Sequence, residues 1–312
     1  MIVLVTGAAG FVGRAVVAAF ADAGHTVRAG VNRMPLPPAL AEHPAVSSVP
    51  CRLEDGPSVA AAARGVDAIV HAAYGGAPDR LMADVEALAA HLGAVKTLVT
   101  LSSIDVYGEA SGTVTEETPP VPPLLPYGAG KRASEAALAR LTREGCRSVA
   151  LRIGCVVGRG SALWVDGLAE RIALGAIGDL GPAGEGFAPI IDNRDLADLV
   201  VRAAVAEGAG HHVLNAVGDG ALRWNGYFAA LADAKGIALP RRPAASSPLA
   251  ALVLPAKAWR KAKLPGFSAL AAVPREGERR LFARQAHYDC ARAAALGWQP
   301  RYDAAAAIRD AI

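Results

Sequence analysis

The chain is predicted to be an α/β protein of the Rossmann type, a doubly wound parallel sheet carrying a smaller C-terminal substrate lobe. Three observations predict it. Short apolar runs alternate with segments whose apolar residues recur at helical spacing. The first such run ends in a glycine-rich turn that opens a helix. The 312 residues suffice for one large domain with a smaller one attached.

Residues 2–5, Ile-Val-Leu-Val, are wholly apolar, as expected of a strand buried on both faces of a parallel sheet. After Gly13 the residues Val16, Ala19, Phe20 and Ala23 lie at helical spacing, Gly24 supplies a C-terminal stop, and residues 26–31 form the second strand. Strands at 67–71, 97–101 and 148–152, with helices at 81–91 and 131–142, continue the alternation. Between 109 and 126 lie Pro119, Pro120, Pro122, Pro123 and Pro126, which fix φ and remove backbone donors. That stretch is expected to be a loop over the sheet edge, delivering Tyr127 to the start of a helix. The alanine runs at 60–63 and 304–307 read as helix. After Gly154 glycines break the pattern, and 241–266 mixes prolines with apolar clusters such as 249–254. The expected division is a dinucleotide-binding core with the catalytic residues over 1–153 and a mixed region over 154–312. The latter contains the substrate-binding lobe, with segments near 188–215 returning to the core.

Composition excludes several classes. The 32 basic and 29 acidic residues are scattered, leaving a charge of +3 and no basic block to track a phosphate backbone, so no nucleic-acid partner is expected. The hydrophobic share is 53 %, yet no uninterrupted apolar span reaches the roughly 18 residues of a membrane helix. No membrane partner is expected either. Cys51, Cys146, Cys155 and Cys290 form no Cys-x-x-Cys pair, which argues against a zinc site or a disulfide framework and fits reduced thiols in a cytoplasmic protein. The N-terminus opens directly into a strand, so no export signal is expected.

Thr6-Gly7-Ala8-Ala9-Gly10-Phe11-Val12-Gly13 stands between a strand and a helix. Glycines there allow a tight turn and a close backbone approach, and the helix N-terminus offers unpaired N–H groups to a pyrophosphate. A dinucleotide is the expected ligand. The second strand ends Val31-Asn32-Arg33, with no carboxylate for the ribose hydroxyls. Arg33 is placed to pair with a 2′-phosphate and Asn32 to donate to it, so NADP(H) is favoured over NAD(H).

Tyr127 and Lys131 are four apart, on one face of a helix. A phenol with a pKa near ~10 becomes a useful acid–base group at neutral pH when a neighbouring ammonium lowers it. Lys131 can supply that charge. Ser102 and Ser103 follow a strand at its carboxyl edge, where a hydroxyl can orient a substrate oxygen. His211-His212 adjoin a strand with no third ligand nearby, and no metal is expected. Trp164, Trp224 and Trp259 could each line a pocket or belong to the core.

These residues together resemble the extended short-chain dehydrogenase/reductase family, also called the NAD-dependent epimerase/dehydratase family. The resemblance is carried by loop 6–13, Val70-His71-Ala72-Ala73, Ser102-Ser103-Ile104-Asp105-Val106-Tyr107-Gly108 and Pro126-Tyr127-Gly128-Ala129-Gly130-Lys131. Further signposts are Leu151-Arg152-Ile153, Ile191-Asp192-Asn193-Arg194-Asp195, Val213-Leu214-Asn215 and Leu296-Gly297-Trp298-Gln299-Pro300, so it spans nearly the whole chain. It implies that Tyr127 is the catalytic acid or base, that Lys131 lowers its pKa and binds the nicotinamide ribose, and that Ser103 holds the reacting oxygen, with Ser102 as fallback. Gly7, Ala9, Gly10, Phe11, Val12, Gly13, Asn32, Arg33, Leu53, His71, Ala72 and Ala73 are the implied cofactor-binding set, His71 through its backbone.

The chain departs from the family pattern in three places. Ile104 and Asp105 replace the Asp-Glu pair usual in 4,6-dehydratases. Ala188-Pro189-Ile190 replaces the Arg-Asp-aromatic segment of many nucleotide-sugar enzymes. Arg52 stands where an adenine-contacting Asp is common. The stretch 191–195 is closer to dihydroflavonol-reductase-like members. The resemblance therefore implies an NAD(P)(H)-dependent oxidoreductase acting on a carbonyl or carbinol of a small organic substrate. The alternatives are a nucleotide-sugar epimerase with tightly bound NAD(P) and a cofactor-sensing protein without turnover, against which the intact Ser103, Tyr127 and Lys131 argue. A homodimer is compatible with the resemblance.

Overall fold

Val3 and Val5 face one side of the first strand and Leu4 the other, and all three are fully buried because helices cover both sides. The computed structural model describes residues 1–75, 77–91, 95–241, 243 and 272–312; the expected apolar cluster 249–254 and Trp259 lie outside the described residues. Its strands are β1 (Ile2–Thr6), β2 (Thr26–Val31), β3 (Val46–Pro50), β4 (Ala68–His71), β5 (Thr97–Ser103), β6 (Gly112–Val114), β7 (Arg147–Ile153), β8 (Cys155–Val157), β9 (Ile190–Asp192), β10 (Gly210–Ala216) and β11 (Ala286–Tyr288). The helices are α1 (Phe11–Asp22), α2 (Pro38–Ala41), α3 (Gly56–Ala63), α4 (Leu81–Ala90), α5 (Pro126–Leu141), α6 (Gly167–Ala173), α7 (Asn193–Val205), α8 (Trp224–Ala234), α9 (Glu276–Ala283), α10 (Ala291–Ala294) and α11 (Ala304–Asp310).

Seven parallel strands form the main sheet in the order β10-β7-β5-β4-β1-β2-β3, the expected Rossmann-type architecture. The chain runs outward from β1 through β2 to β3, then returns to place β4 on the other side of β1. That reversal leaves a crevice at the carboxyl ends of β1 and β4, which in open α/β sheets is where ligands bind. On one face α1 and α7 cover Val3, Val5, Val99 and Leu151 with Val16, Phe20, Leu196 and Val200. On the other, Val59, Val85, Leu88 and Leu138 cover Leu4, Ile69 and Leu98.

A second apolar cluster lies beyond β7. Trp224, Tyr227 and Phe228 of α8 pack with Phe282, Val157, Ile190 and Ile308, and the Trp224 and Phe282 rings are 4.7 Å apart. Trp224 is fully buried and Trp164 tilts against it at 5.8 Å, so both belong to this core. Asp195 on α7 holds the C-terminal segment: its Oδ2 accepts from the Arg301 and Tyr302 N–H groups, each at 3.0 Å, and the Trp298 indole donates to its carbonyl at 2.9 Å.

Several boundaries differ from expectation. The helix expected from residue 131 starts at Pro126, since a proline in the first turn forfeits only an N–H that has no partner there. The proline-rich loop is not wholly irregular, because Gly112–Val114 pairs with β11. Strand β5 runs on through Ser103, so Ser102 and Ser103 lie within it rather than after it. β3 carries no periodic apolar signal because it is a half-exposed edge strand containing Ser47 and Ser48, and it tolerates Pro50 for the same reason. His211 Nδ1 pairs with Ser148 Oγ at 2.8 Å, and His212 Nε2 lies 3.1 Å from the Ala209 carbonyl. Among the described residues no helix is long and apolar enough to cross a membrane.

Candidate active site

The glycines between β1 and α1 are fixed by what surrounds them. Gly7 has φ +68°, and a Cβ there would stand 2.6 Å from Ala73 Cα, so the loop lies directly on the Ala72-Ala73 backbone. A Cβ on Gly13 would stand 2.1 Å from the Gly7 carbonyl oxygen, which already accepts the Gly10 N–H at 2.9 Å. Gly10 caps α1 without a side chain, so no cap competes for the first-turn N–H groups. A loop this close to bare backbone fits a pyrophosphate on the helix N-terminus. Gly13→Ala is expected to cost about 1–3 kcal/mol of stability through overpacking. It should also weaken dinucleotide binding by on the order of tenfold, the equivalent of about 1.4 kcal/mol. Thermal melting and cofactor titration check this, and wild-type values would show that the close approach is dispensable.

The crevice holds a cleft of about 690 Å³. Of the expected residues, Gly7, Ala9, Gly10, Phe11, Val12, Gly13, Asn32, Arg33, Leu53, Ala72, Ala73, Tyr127 and Lys131 line it. His71 and Ser103 do not. The His71 ring is buried and its Nδ1 is 2.9 Å from Thr6 Oγ1; burial, reinforced by the Lys131 ammonium, pushes it down to about 3, so it is neutral. Arg52 is outside the lining and pairs with Asp55 at 3.3 Å. The sequence pattern did not point to Met34, Cys51, Glu54, Tyr74, Arg80, Asp84, Leu101 and Ile153, which also line the cleft. For Tyr74 a signal existed, since it directly follows Ala72-Ala73.

Tyr127 lies in the first turn of α5 and Lys131 in the second. Both glycines between them are needed: a Cβ on Gly128 would meet the Asp105 carbonyl at 2.4 Å, and one on Gly130 the Pro78 carbonyl at 2.5 Å. The helix is therefore pressed against the turns that follow β5 and precede α4. Ser103 Oγ accepts the Asp105 N–H at 3.1 Å, and the Ser103 side chain acts electrostatically on the Tyr127 phenol. The Tyr74 ring meets that of Tyr127 edge-on, with centroids 5.5 Å apart. Lys131 Nζ donates to the Leu101 carbonyl at 2.6 Å and stands 5.7 Å from the Tyr127 centroid.

Burial governs the electrostatics of both groups. Burial pushes the Tyr127 phenol well above its ordinary value; Asp105 and Tyr74 push the same way, and Ser103 opposes them. At 5.7 Å from the ring, Lys131 does not overcome this. The phenol is protonated at neutral pH, the form that donates a proton. Lys131 is itself pushed down to about 8 by burial, with Glu135 and Asp84 opposing.

Residues 3–216 match the NAD dependent epimerase/dehydratase family. The chain belongs to that family. Among solved structures it is similar to the UDP-glucose 4-epimerase of Stenotrophomonas maltophila with bound NAD and formylated UDP-arabinopyranose (23 % identity, TM-score 0.76, covering 100 % of this chain and 96 % of that one). It is likewise similar to the UDP-glucose 4-epimerase of Thermus thermophilus in complex with NAD (23 %, 0.74, 100 % and 97 %). A third is the human epimerase family protein SDR39U1 with NADPH (22 %, 0.71, 100 % and 99 %). At these identities the likeness establishes the fold. No curated protein matches the sequence.

In this epimerase/dehydratase family member the Ser102 side chain is engaged away from that of Ser103. Successive strand residues point to opposite faces, and Ser102 donates to Glu135 Oε1. Glu135 is paired with Arg152, Nη2 to Oε2 at 2.8 Å and Nε to Oε1 at 3.1 Å. Arg152 also donates to the Glu116 carbonyl at 3.0 Å and lies over the Tyr107 ring, 4.7 Å from its centroid. The Tyr107 hydroxyl donates to Asn215 Oδ1 at 2.6 Å. This buried chain of contacts ties β5, α5, β7 and β10 together.

Proposed function

We propose that the chain is an NADP(H)-dependent oxidoreductase of the extended short-chain dehydrogenase/reductase type, interconverting a carbonyl and a carbinol of a small organic substrate. The observation that carries this reading is that Tyr127 and Lys131 meet in one cleft with the glycine cradle.

Loop 7–13 and the first-turn N–H groups of α1 would hold the pyrophosphate of the dinucleotide, and Lys131 would hold the nicotinamide ribose. The bound nicotinamide supplies the two-electron oxidation or reduction. The chain's own residues handle the proton and the geometry. Ser103 orients the substrate oxygen, and Tyr127, kept protonated by burial, donates its proton to that oxygen in the reducing direction. In the oxidising direction the phenol must first ionise, and the Lys131 ammonium favours that ionisation. Residues 154–312, apart from segments near 188–215, would form the substrate lobe, with the second apolar cluster as its core.

The epimerase names of the solved neighbours favour a second reading, a nucleotide-sugar epimerase with tightly held NAD(P). Against it stands Ala188-Pro189-Ile190, which offers no charged group for a diphosphate. Supplying free NADPH with a panel of carbonyl compounds separates the two. Net NADPH oxidation is the expected result. A cofactor that co-purifies, shows no net consumption and supports interconversion of UDP-sugars would replace this reading by the second.

The NADP(H) preference rests on Arg33, which lines the cleft, is exposed, and makes no hydrogen bond or ion pair among the described residues. A charge-assisted contact to the 2′-phosphate is worth about 1.5–3 kcal/mol, so NADP(H) should bind on the order of 10- to 100-fold more tightly than NAD(H). Arg33→Ala is expected to erase most of that difference. Titration of both cofactors into both proteins checks it, and equal wild-type affinities would show that Arg33 stays in solvent.

A further inference from the structure

Asp84 is a carboxylate that the proposed chemistry leaves without a task. It lies in the first turn of α4, where an acidic residue facing solvent would simply complement the helix dipole. Here it is only 8 % exposed and lines the same cleft as Lys131. Arg80, at 3.9 Å from its Oδ1, is the ion-pair partner, and half of that side chain is in solvent. The backbone explains how Asp84 comes to be there. Gly130 immediately precedes Lys131, and a Cβ on it would meet the Pro78 carbonyl at 2.5 Å and Leu81 Cδ1 at 3.2 Å. That contact pins the start of α4 onto the turn of α5 that carries Lys131, and Asp84 is one helical turn beyond Leu81.

The titratable groups around the Lys131 ammonium come from its own helix, from β4 and the residues after it, and from the segment opening α4. Its own helix supplies Tyr127 and Glu135. β4 supplies His71, neutral through burial, and Tyr74 follows it, its ring centroid 5.8 Å from Nζ. The segment opening α4 supplies Arg80 and Asp84, with Glu54 also on the cleft wall and acting on Asp84. Glu135 is committed to Arg152 and Ser102. Of the two carboxylates on the cleft wall, Glu54 is exposed, whereas Asp84 is buried beside a nine-tenths buried ammonium and keeps only a long contact to Arg80.

We propose that Asp84 is a positioning residue for Lys131, its carboxylate keeping the buried ammonium protonated through the neutral range so that Tyr127 retains its cationic neighbour. The proposal rests on the catalytic reading of Lys131 given above. The opposing influences on Lys131 agree with it: burial lowers the ammonium's pKa, whereas Glu135 and Asp84 raise it. Asp84 in turn is raised by burial, with Arg80 and Lys131 opposing.

The test reads Lys131 directly rather than through turnover. The full-length protein is labelled with trace acetic anhydride across a pH series, and the extent of acetylation at Lys131 is followed by mass spectrometry, with the other lysines of the digest as reference. The wild-type midpoint is expected at about 8. Asp84→Asn, nearly isosteric, should lower it by on the order of one unit, and Asp84→Ser by a similar amount. Asp84→Glu should restore it. An unchanged midpoint in folded Asp84→Asn or Asp84→Ser overturns the proposal, as does a fall in Asp84→Glu as large as that in Asp84→Asn, because packing rather than charge would then set it. Absence of turnover with every carbonyl compound would instead count against the catalytic reading and would leave these midpoints as they are.

Discussion

Tyr127→Phe is expected to lower turnover by about 10²–10⁴-fold, the usual contribution of a positioned acid–base group, while cofactor affinity and melting temperature stay near wild type. The ring keeps its edge-on contact with Tyr74, and only the hydroxyl is removed. Steady-state kinetics with NADPH, paired with cofactor titration of the same variant, separate loss of chemistry from loss of binding. Activity within a few-fold of wild type would remove Tyr127 from the mechanism. A pH profile adds a second check. Lys131 has its pKa lowered to about 8, so its ammonium is present below that pH and lost above it. The rate in the reducing direction should therefore be level at neutral pH and fall as pH rises through about 8. A rate that stays level well above that pH would disconnect Lys131 from the proton-transfer step.

The largest effect on stability is expected at Arg152. Breaking one side of a buried ion pair typically costs about 3–5 kcal/mol, because the remaining charge is left without a partner. Both side chains of the Arg152–Glu135 pair are 10 % exposed. Arg152→Met would also strip the Glu116 carbonyl and the Tyr107 ring of their cation. Replacing both members by apolar residues of similar volume should recover much of the loss, since such exchanges are often close to neutral. Denaturant unfolding of the single and double variants measures this. A cost under about 1 kcal/mol in Arg152→Met, the range of a surface pair, would mean that water reaches the network.

The parts of this protein legible from its sequence are those whose information is local. An apolar run, glycines at fixed spacing and an amphipathic helix lie within one stretch of chain. Their consequences, a strand, a turn too tight for a Cβ and a helix N-terminus, follow without knowledge of distant residues. The same holds for Tyr127 and Lys131, whose spacing alone places them on one helical face. The alternation of such units foretold a doubly wound parallel sheet.

What stayed hidden depends on contacts between segments far apart. Ser102 and Ser103 are chemically identical and adjacent; only the pleat of β5, set by its neighbours in the sheet, sends one to Glu135 and leaves the other at the turn with Asp105. β3 carries too little apolar signal because it is an edge, and being an edge is a property of the assembled sheet. Asp84 and Arg80 carry no motif, and they reach the cleft because Gly130 lets the start of α4 approach α5. The Tyr127 phenol shows the division most plainly. Its place beside an ammonium could be read from the spacing, but its proton affinity is set by burial, and burial exists only once the chain has folded around it.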